Sequence, residues 1–152
     1  MPTDREPSCA VRGRWDARGE VRVSGRHFTL DAVGSAHLDH DEARPSALEL
    51  LVSALVADLL AGLGRECQRA GVRIHDAEMA ISAYLDNPLV ALGVVGEAGT
   101  AAVASLNGSL YVSSDADAEA LASLWNLALE RAPVHATLRR CVDLDIELKP
   151  VI

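Results

Sequence analysis

The run Leu50–Leu63, LLVSALVADLLAGL, holds a single carboxylate, Asp58, among Leu, Val and Ala. An isolated ionised carboxylate is too costly in apolar surroundings to stand alone, so Asp58 needs a cation, hydrogen-bond donors or a shifted pKa. Arg12 and Arg14, in the N-terminal stretch AVRGRW, are candidate cations. Ser53, a backbone group or a residue of a second chain are the purely structural alternatives. If Asp58 sits in a truly buried ion pair, removing one partner should cost roughly 3 to 5 kcal/mol. His135, in PVHATL, could serve as a general base near neutral pH, or equally as a hydrogen-bonded core or interface histidine. Cys9, Cys67 and Cys141 are odd in number and widely spaced, which suits neither a disulfide framework nor a metal knuckle. Cys67 and Cys141 read as structural thiols. His37, Asp39, His40 and Asp41 offer mixed nitrogen and oxygen donors, but without a known ligand spacing they read as a solvated loop. Glu97 lies between two glycines, and nothing in the sequence fixes its direction. No phosphate loop, nucleotide fingerprint or Ser-His-Asp spacing occurs, and no metal or cofactor is called for.

The elements that must position these residues follow from periodicity. AVRGRW, EVRV and RHFTLDAV are strand-like stretches separated by DARG and SGR, as in a three-stranded meander. A polar loop, GSAHLDHDEARP, precedes the longest helix, expected from Ser46 to about Ala70. That helix is apolar nearly all round until Gly64, so it should be buried on every side, which is hard to arrange in a chain this small without a second subunit. VRIHDAEMAISAYL alternates as a half-buried strand, DNPLVALGVVGEAGTAA is a connection with one helical turn, and VASLNGSLYVSS is another strand. SSDADAEALASLWNLALERA reads as a helix with a capping-box-like start at Ser114, and PVHATLRR as a short helix opened by Pro133. VDLDIELK is the clearest strand, with Val142, Leu144, Ile146 and Leu148 alternating with charged residues. Three strands, a helix, two strands, two helices and a strand make an α+β fold.

At 152 residues the chain is most simply one domain, 1–152, with residues 1–8 a flexible N-terminus. Hydrophobic residues make up 49% and aromatics only 3%, so Leu, Val, Ala and Ile must build the core. A net charge of −8, with 14 basic residues scattered along the chain, disfavours nucleic acid or an anionic membrane as partner. The N-terminal segment lacks an apolar signal core, and the interrupted apolar run is too short to cross a bilayer, so a soluble cytoplasmic protein is expected.

PSALELLVSALVAD resembles the central-helix motif of the OsmC and organic hydroperoxide resistance (Ohr) family, in which a Pro and a Glu precede an Ala/Leu-rich run ending in a cysteine. RAPVHATLRR is similar to that family's Cys-Pro-Val motif with its following helix, and SSDADAEALASL to the start of its penultimate helix. The resemblance extends from about Val11 to Leu148. It implies a β(3)-α-β(2)-α(2)-β fold and an intertwined homodimer, with two central helices enclosed by sheet from both subunits. It further implies a stress-response role. In typical members one thiolate attacks the O–O bond of a hydroperoxide, and its sulfenic acid condenses with the second cysteine. An Arg from the N-terminal strands and a Glu at the helix start orient the peroxide.

Laid on those motifs, the peroxidatic cysteine falls on Asp58 and the resolving cysteine on Ala132, beside Pro133. The helper Glu, ten residues before its cysteine, falls on Leu48; Glu49 is one residue out, a rotation of about 100° on a helix. The resemblance therefore implies a member that is not a thiol peroxidase. Its site would keep an anion, Asp58, against Arg12 or Arg14. Together with Glu49, Ala132, Pro133 and His135, these residues would border a pocket for a small hydrophobic molecule or hydroperoxide. Two enzyme readings stay open: a reductase using a non-standard cysteine such as Cys67, and a hydrolase or isomerase using Asp58 and His135.

Overall fold

A computed structural model describes residues 9–34 and 42–151. The chain divides into two compact units, Met1–Leu50 and Leu51–Ile152.

The first unit is a meander of β1 (Arg12–Trp15), β2 (Val21–Ser24) and β3 (Thr29–Ala32), antiparallel and in the order β1-β2-β3. Asp16 shapes the first turn by accepting the backbone N–H groups of Arg18 and Glu20 at 2.9 and 3.1 Å, and Gly19 closes it at φ 82°. The register places Arg14, Arg22 and Asp31 side by side across the sheet. Successive side chains on a strand point to opposite faces. Arg12 and Arg14 therefore share the polar face with the Arg22–Asp31 pair, while Val21, Val23, Leu30 and the buried Ala32 lie on the other.

The long helix α1 (Ala47–Arg69) starts in this unit. Its first turn carries a reciprocal capping box: the Ser46 N–H donates to Glu49 Oε2 at 2.7 Å, and the Glu49 N–H donates to Ser46 Oγ at 3.2 Å.

Along the second unit run most of α1, β4 (Ile74–Leu85), α2 (Pro88–Ala91), β5 (Val103–Ser114), α3 (Ala118–Arg131), α4 (Pro133–Leu138) and β6 (Asp143–Pro150). The sheet order is β4-β5-β6, with β4 and β5 antiparallel and β5 and β6 parallel. A parallel pair needs a crossover, and α3 with α4 supplies it. Leu55, Leu59, Leu63 and Cys67 of α1 pack with Leu106, Leu110 and Val112 of β5 and with Leu121, Trp125 and Ala128 of α3. Gly108 of β5 must be glycine, because a Cβ there would run into the Ala80 carbonyl and Ile81 on β4.

The α+β class and the order of elements are those expected from the sequence. Two details differ. The N-cap of α3 is Asp117, whose side chain accepts the Ala120 N–H at 2.8 Å; Ser114 instead accepts the Ala116 N–H at 3.3 Å. A carboxylate facing the positive end of the helix outcompetes a hydroxyl three residues upstream. The second concerns membrane-spanning length: as one helix of 23 residues, α1 does meet the length and apolarity of a bilayer span. Leu55, Leu59 and Leu63 are nevertheless fully buried in the protein's own core, and Glu66 and Asp58 are held by protein groups, so α1 is a core helix.

Candidate functional site

Asp58, Gly62 and Glu66 are four residues apart on α1 and so form one stripe of that helix. All three face the elbow where α3 turns into α4. The elbow exists because Pro133 cannot continue α3 but fits the first position of a new helix. Its N-cap residue, Ala132, has no side-chain acceptor, so the first free N–H groups of α4 need one from elsewhere. Asp58 provides it. Its Oδ2 accepts the backbone N–H of Val134 at 2.8 Å and of His135 at 3.2 Å. The half-buried carboxylate of α1 is thus a cap for a helix 76 residues further along the chain.

On the other side of the elbow, Glu66 is 4% exposed and receives Arg131, in the last turn of α3, at 2.7 Å and Arg69 at 3.0 Å. Burying a carboxylate requires such partners. Gly62 lies between the two carboxylates, where α1 approaches Ala128. A Cβ added there would stand 3.7 Å from the Ala128 side chain, in ordinary contact. Ala132, fully buried, sits at the turn itself. Asp58 and Ala132 therefore adjoin the same elbow.

His135 is buried, and its ring Nδ1 meets the Leu129 carbonyl at 2.9 Å. A carbonyl only accepts, so Nδ1 carries the hydrogen of this contact. Asp58 touches His135 through the backbone N–H, not the ring. The Asp58–His135 acid–base pair expected for a hydrolase or isomerase is therefore not formed: the start of α4 turns its backbone donors, rather than the imidazole, toward α1.

The other expected residues are distributed as follows. Glu49 serves the capping box at the start of α1. Arg12 and Arg14 are exposed on β1, and Arg14 borders an open cleft of about 400 Å³ within the first unit, with Trp15, Glu20 and the Arg22–Asp31 pair. Cys67 is 1% exposed, and burial, reinforced by the neighbouring Glu66 carboxylate, pushes its thiol above the ordinary value. Cys9 and Cys141 are exposed. Glu97 has a fixed direction after all, since the Asn87 side-chain amide donates to it at 3.1 Å. His37, Asp39, His40 and Asp41 lie outside the described residues, among which no cluster of three or more metal-ligating side chains occurs. Glu66 and Arg131 were missed in the sequence. Their signal was there, since Glu66 repeats the Asp58 position two helical turns later and Arg131 ends the facing helix.

The chain matches the OsmC-like protein family over residues 39–147 and belongs to it. No curated protein sequence matches. Among solved structures, an OsmC-like protein from Mycoplasma pneumoniae is similar at a TM-score of 0.80 and 16% identity, covering 99% of this chain and 100% of that one. The organic hydroperoxide resistance protein OhrB of Bacillus subtilis superposes at 0.62 with 19% identity, over 93% of this chain and 98% of its own. An organic hydroperoxide resistance protein OsmC from Legionella pneumophila gives 0.65 at 13%, over 96% and 99%. At these identities the likeness establishes the fold, which is that of the OsmC and Ohr proteins.

Proposed function

We propose that this chain is a homodimeric, cytoplasmic OsmC-family protein in which the peroxide-reducing site has become a non-redox niche that accepts a small, partly apolar molecule. The observation that carries the reading is the Asp58 carboxylate capping α4 through Val134 and His135, at the position where the family pattern has its reactive cysteine. A carboxylate keeps negative charge at this position but has no sulfur to oxidise. Ala132, at the second cysteine position, likewise has no thiol to form a disulfide.

Both bonds to Asp58 reach Oδ2, and no side chain of the described second unit donates to Oδ1. Peroxide reduction through Cys67 has no support in its surroundings. An attacking thiol needs a lowered pKa and access to solvent, and Cys67 is buried with its thiol pushed up.

The test is turnover of cumene hydroperoxide with a dithiol as reductant, followed by loss of peroxide. The expected rate equals that of a protein-free control, and Cys67→Ser leaves it unchanged. Turnover that disappears with Cys67→Ser would overturn the proposal.

A further inference from the structure

The cleft of about 400 Å³ in the first unit lies at the turn between β1 and β2, and its size is at the lower end for small-molecule sites. Its border is chemically mixed. Asp31 engages Arg22 with both oxygens, at 2.7 and 3.1 Å, so that pair is neutral as a whole. Asp16 uses Oδ1 for the turn amides of Arg18 and Glu20, and the Glu20 side chain meets Arg44 through Oε1 alone, at 3.4 Å. Each of these two carboxylates keeps one oxygen without a partner among the described residues. The Arg14 guanidinium has no hydrogen bond or ion pair among them. Next to it, Trp15 is 69% exposed, although an indole is among the side chains that gain most from burial.

We infer that this cleft binds a small zwitterion made of a methylated ammonium and a carboxylate, the ammonium against the Trp15 indole and the carboxylate on the Arg14 guanidinium. Charge selects the zwitterion. An anion alone would face Asp16 and Glu20, and a cation alone would face Arg14, whereas a molecule carrying both charges is complemented at each end. The aromatic face selects the kind of cation. An indole attracts cations through its ring quadrupole, and quaternary ammonium groups are the ligands typically recognised in this way. A primary ammonium, compact and strongly hydrated, would have to give up more water at the same surface. Asp16 and Glu20 supply negative potential around the indole, which serves a cation that has no N–H to donate. At the other end, the planar guanidinium matches a carboxylate with two parallel N–H donors. Every bordering residue belongs to the first unit, so the inference does not rest on the niche at Asp58, and its failure would leave that reading untouched.

The test uses the full chain and trimethylglycine as probe, with choline, acetate and glycine as its cation-only, anion-only and unmethylated counterparts. Trp15 and Trp125 are the two tryptophans and Trp125 is 5% exposed, so acrylamide quenches chiefly the emission of Trp15. Trimethylglycine at millimolar concentration should shield Trp15 from acrylamide in a saturable manner, and each counterpart should bind more weakly by roughly two- to fivefold or more. Arg14→Gln should lower trimethylglycine to the level of choline. Trp15→Leu should remove saturation transfer from the protein to the N-methyl protons, with the circular dichroism spectrum of both variants unchanged. Absence of shielding at tens of millimolar, choline binding as well as trimethylglycine, or saturation transfer that survives Trp15→Leu would each overturn the inference. Glycine shielding Trp15 equally well would overturn it in favour of an ordinary amino acid.

Discussion

Asp58 and Glu66 stand on the same stripe of α1, and both serve the α3–α4 elbow, but they serve it differently. Glu66 is almost sealed from water and answers two guanidinium groups, whereas Asp58 is half-buried and answers two backbone N–H groups through one oxygen. Glu66 spends both oxygens on Arg69 and Arg131, one on each. Asp58 keeps one oxygen clear of the elbow. The comparison separates a carboxylate held by two side-chain cations from one that caps a helix through a single oxygen.

Substitutions along the stripe sharpen or break this contrast, each read by chemical denaturation at fixed protein concentration, because dimerisation would make stability concentration-dependent. Glu66→Gln should be the most damaging, at about 2 kcal/mol, since hydrogen bonds to charged groups contribute more than neutral ones. The loss stays below that of a fully buried pair because Arg131 and Arg69 are 52% and 63% exposed and can return to water. Asp58→Ala should cost about 1 to 2 kcal/mol, the usual loss of a helix N-cap. A larger loss from Asp58→Ala than from Glu66→Gln would reverse the assignment of roles. Asp58→Asn, which retains an acceptor oxygen, should cost about half as much as Asp58→Ala or less.

Gly62→Ala, between the two carboxylates, should stabilise by about 0.5 to 1 kcal/mol, because the added methyl meets Ala128 at ordinary contact distance and alanine favours helix over glycine. Destabilisation would show that α1 and α3 approach more closely than the geometry gives. The smallest effect concerns Cys67. Its folded-state pKa is raised, so the stabilisation linked to it is present below the ordinary thiol range and fades as pH climbs through the raised value. At pH 8 the native chain should therefore show two thiols that react promptly with a disulfide reagent, Cys9 and Cys141, and one that reacts only on unfolding.

Much of the fold was legible because its signals are local. Alternation in VDLDIELK, the apolar run of α1 and the Pro133 break each report on backbone within a few residues, and β6, α1 and the elbow appear where those signals put them. The capping residue of α3 was misplaced by three positions, since Ser114 and Asp117 are both good caps and only the backbone entering the helix decides between them. The reciprocal box at Ser46 and Glu49 was visible as a Ser-x-x-Glu spacing, yet Glu49 drew attention as a ligand instead. A backbone group stood among the alternatives for the partner of Asp58, but which one could not be read, since backbone N–H groups are common to nearly every residue.

Residue types and periodicity showed that a lone carboxylate at position 58 needs partners and that the chain builds an α+β fold, and the resemblance to the OsmC family supplied the type of that fold. Tertiary structure decided what satisfies that carboxylate. Which donors reach hydrogen-bonding distance of a side chain depends on where two helices 76 residues apart in sequence are brought together by the core between them, and on a proline that frees the amides of the following turn to face α1. Periodicity carries no information about that meeting, because it arises from packing between distant segments rather than from any preference within one.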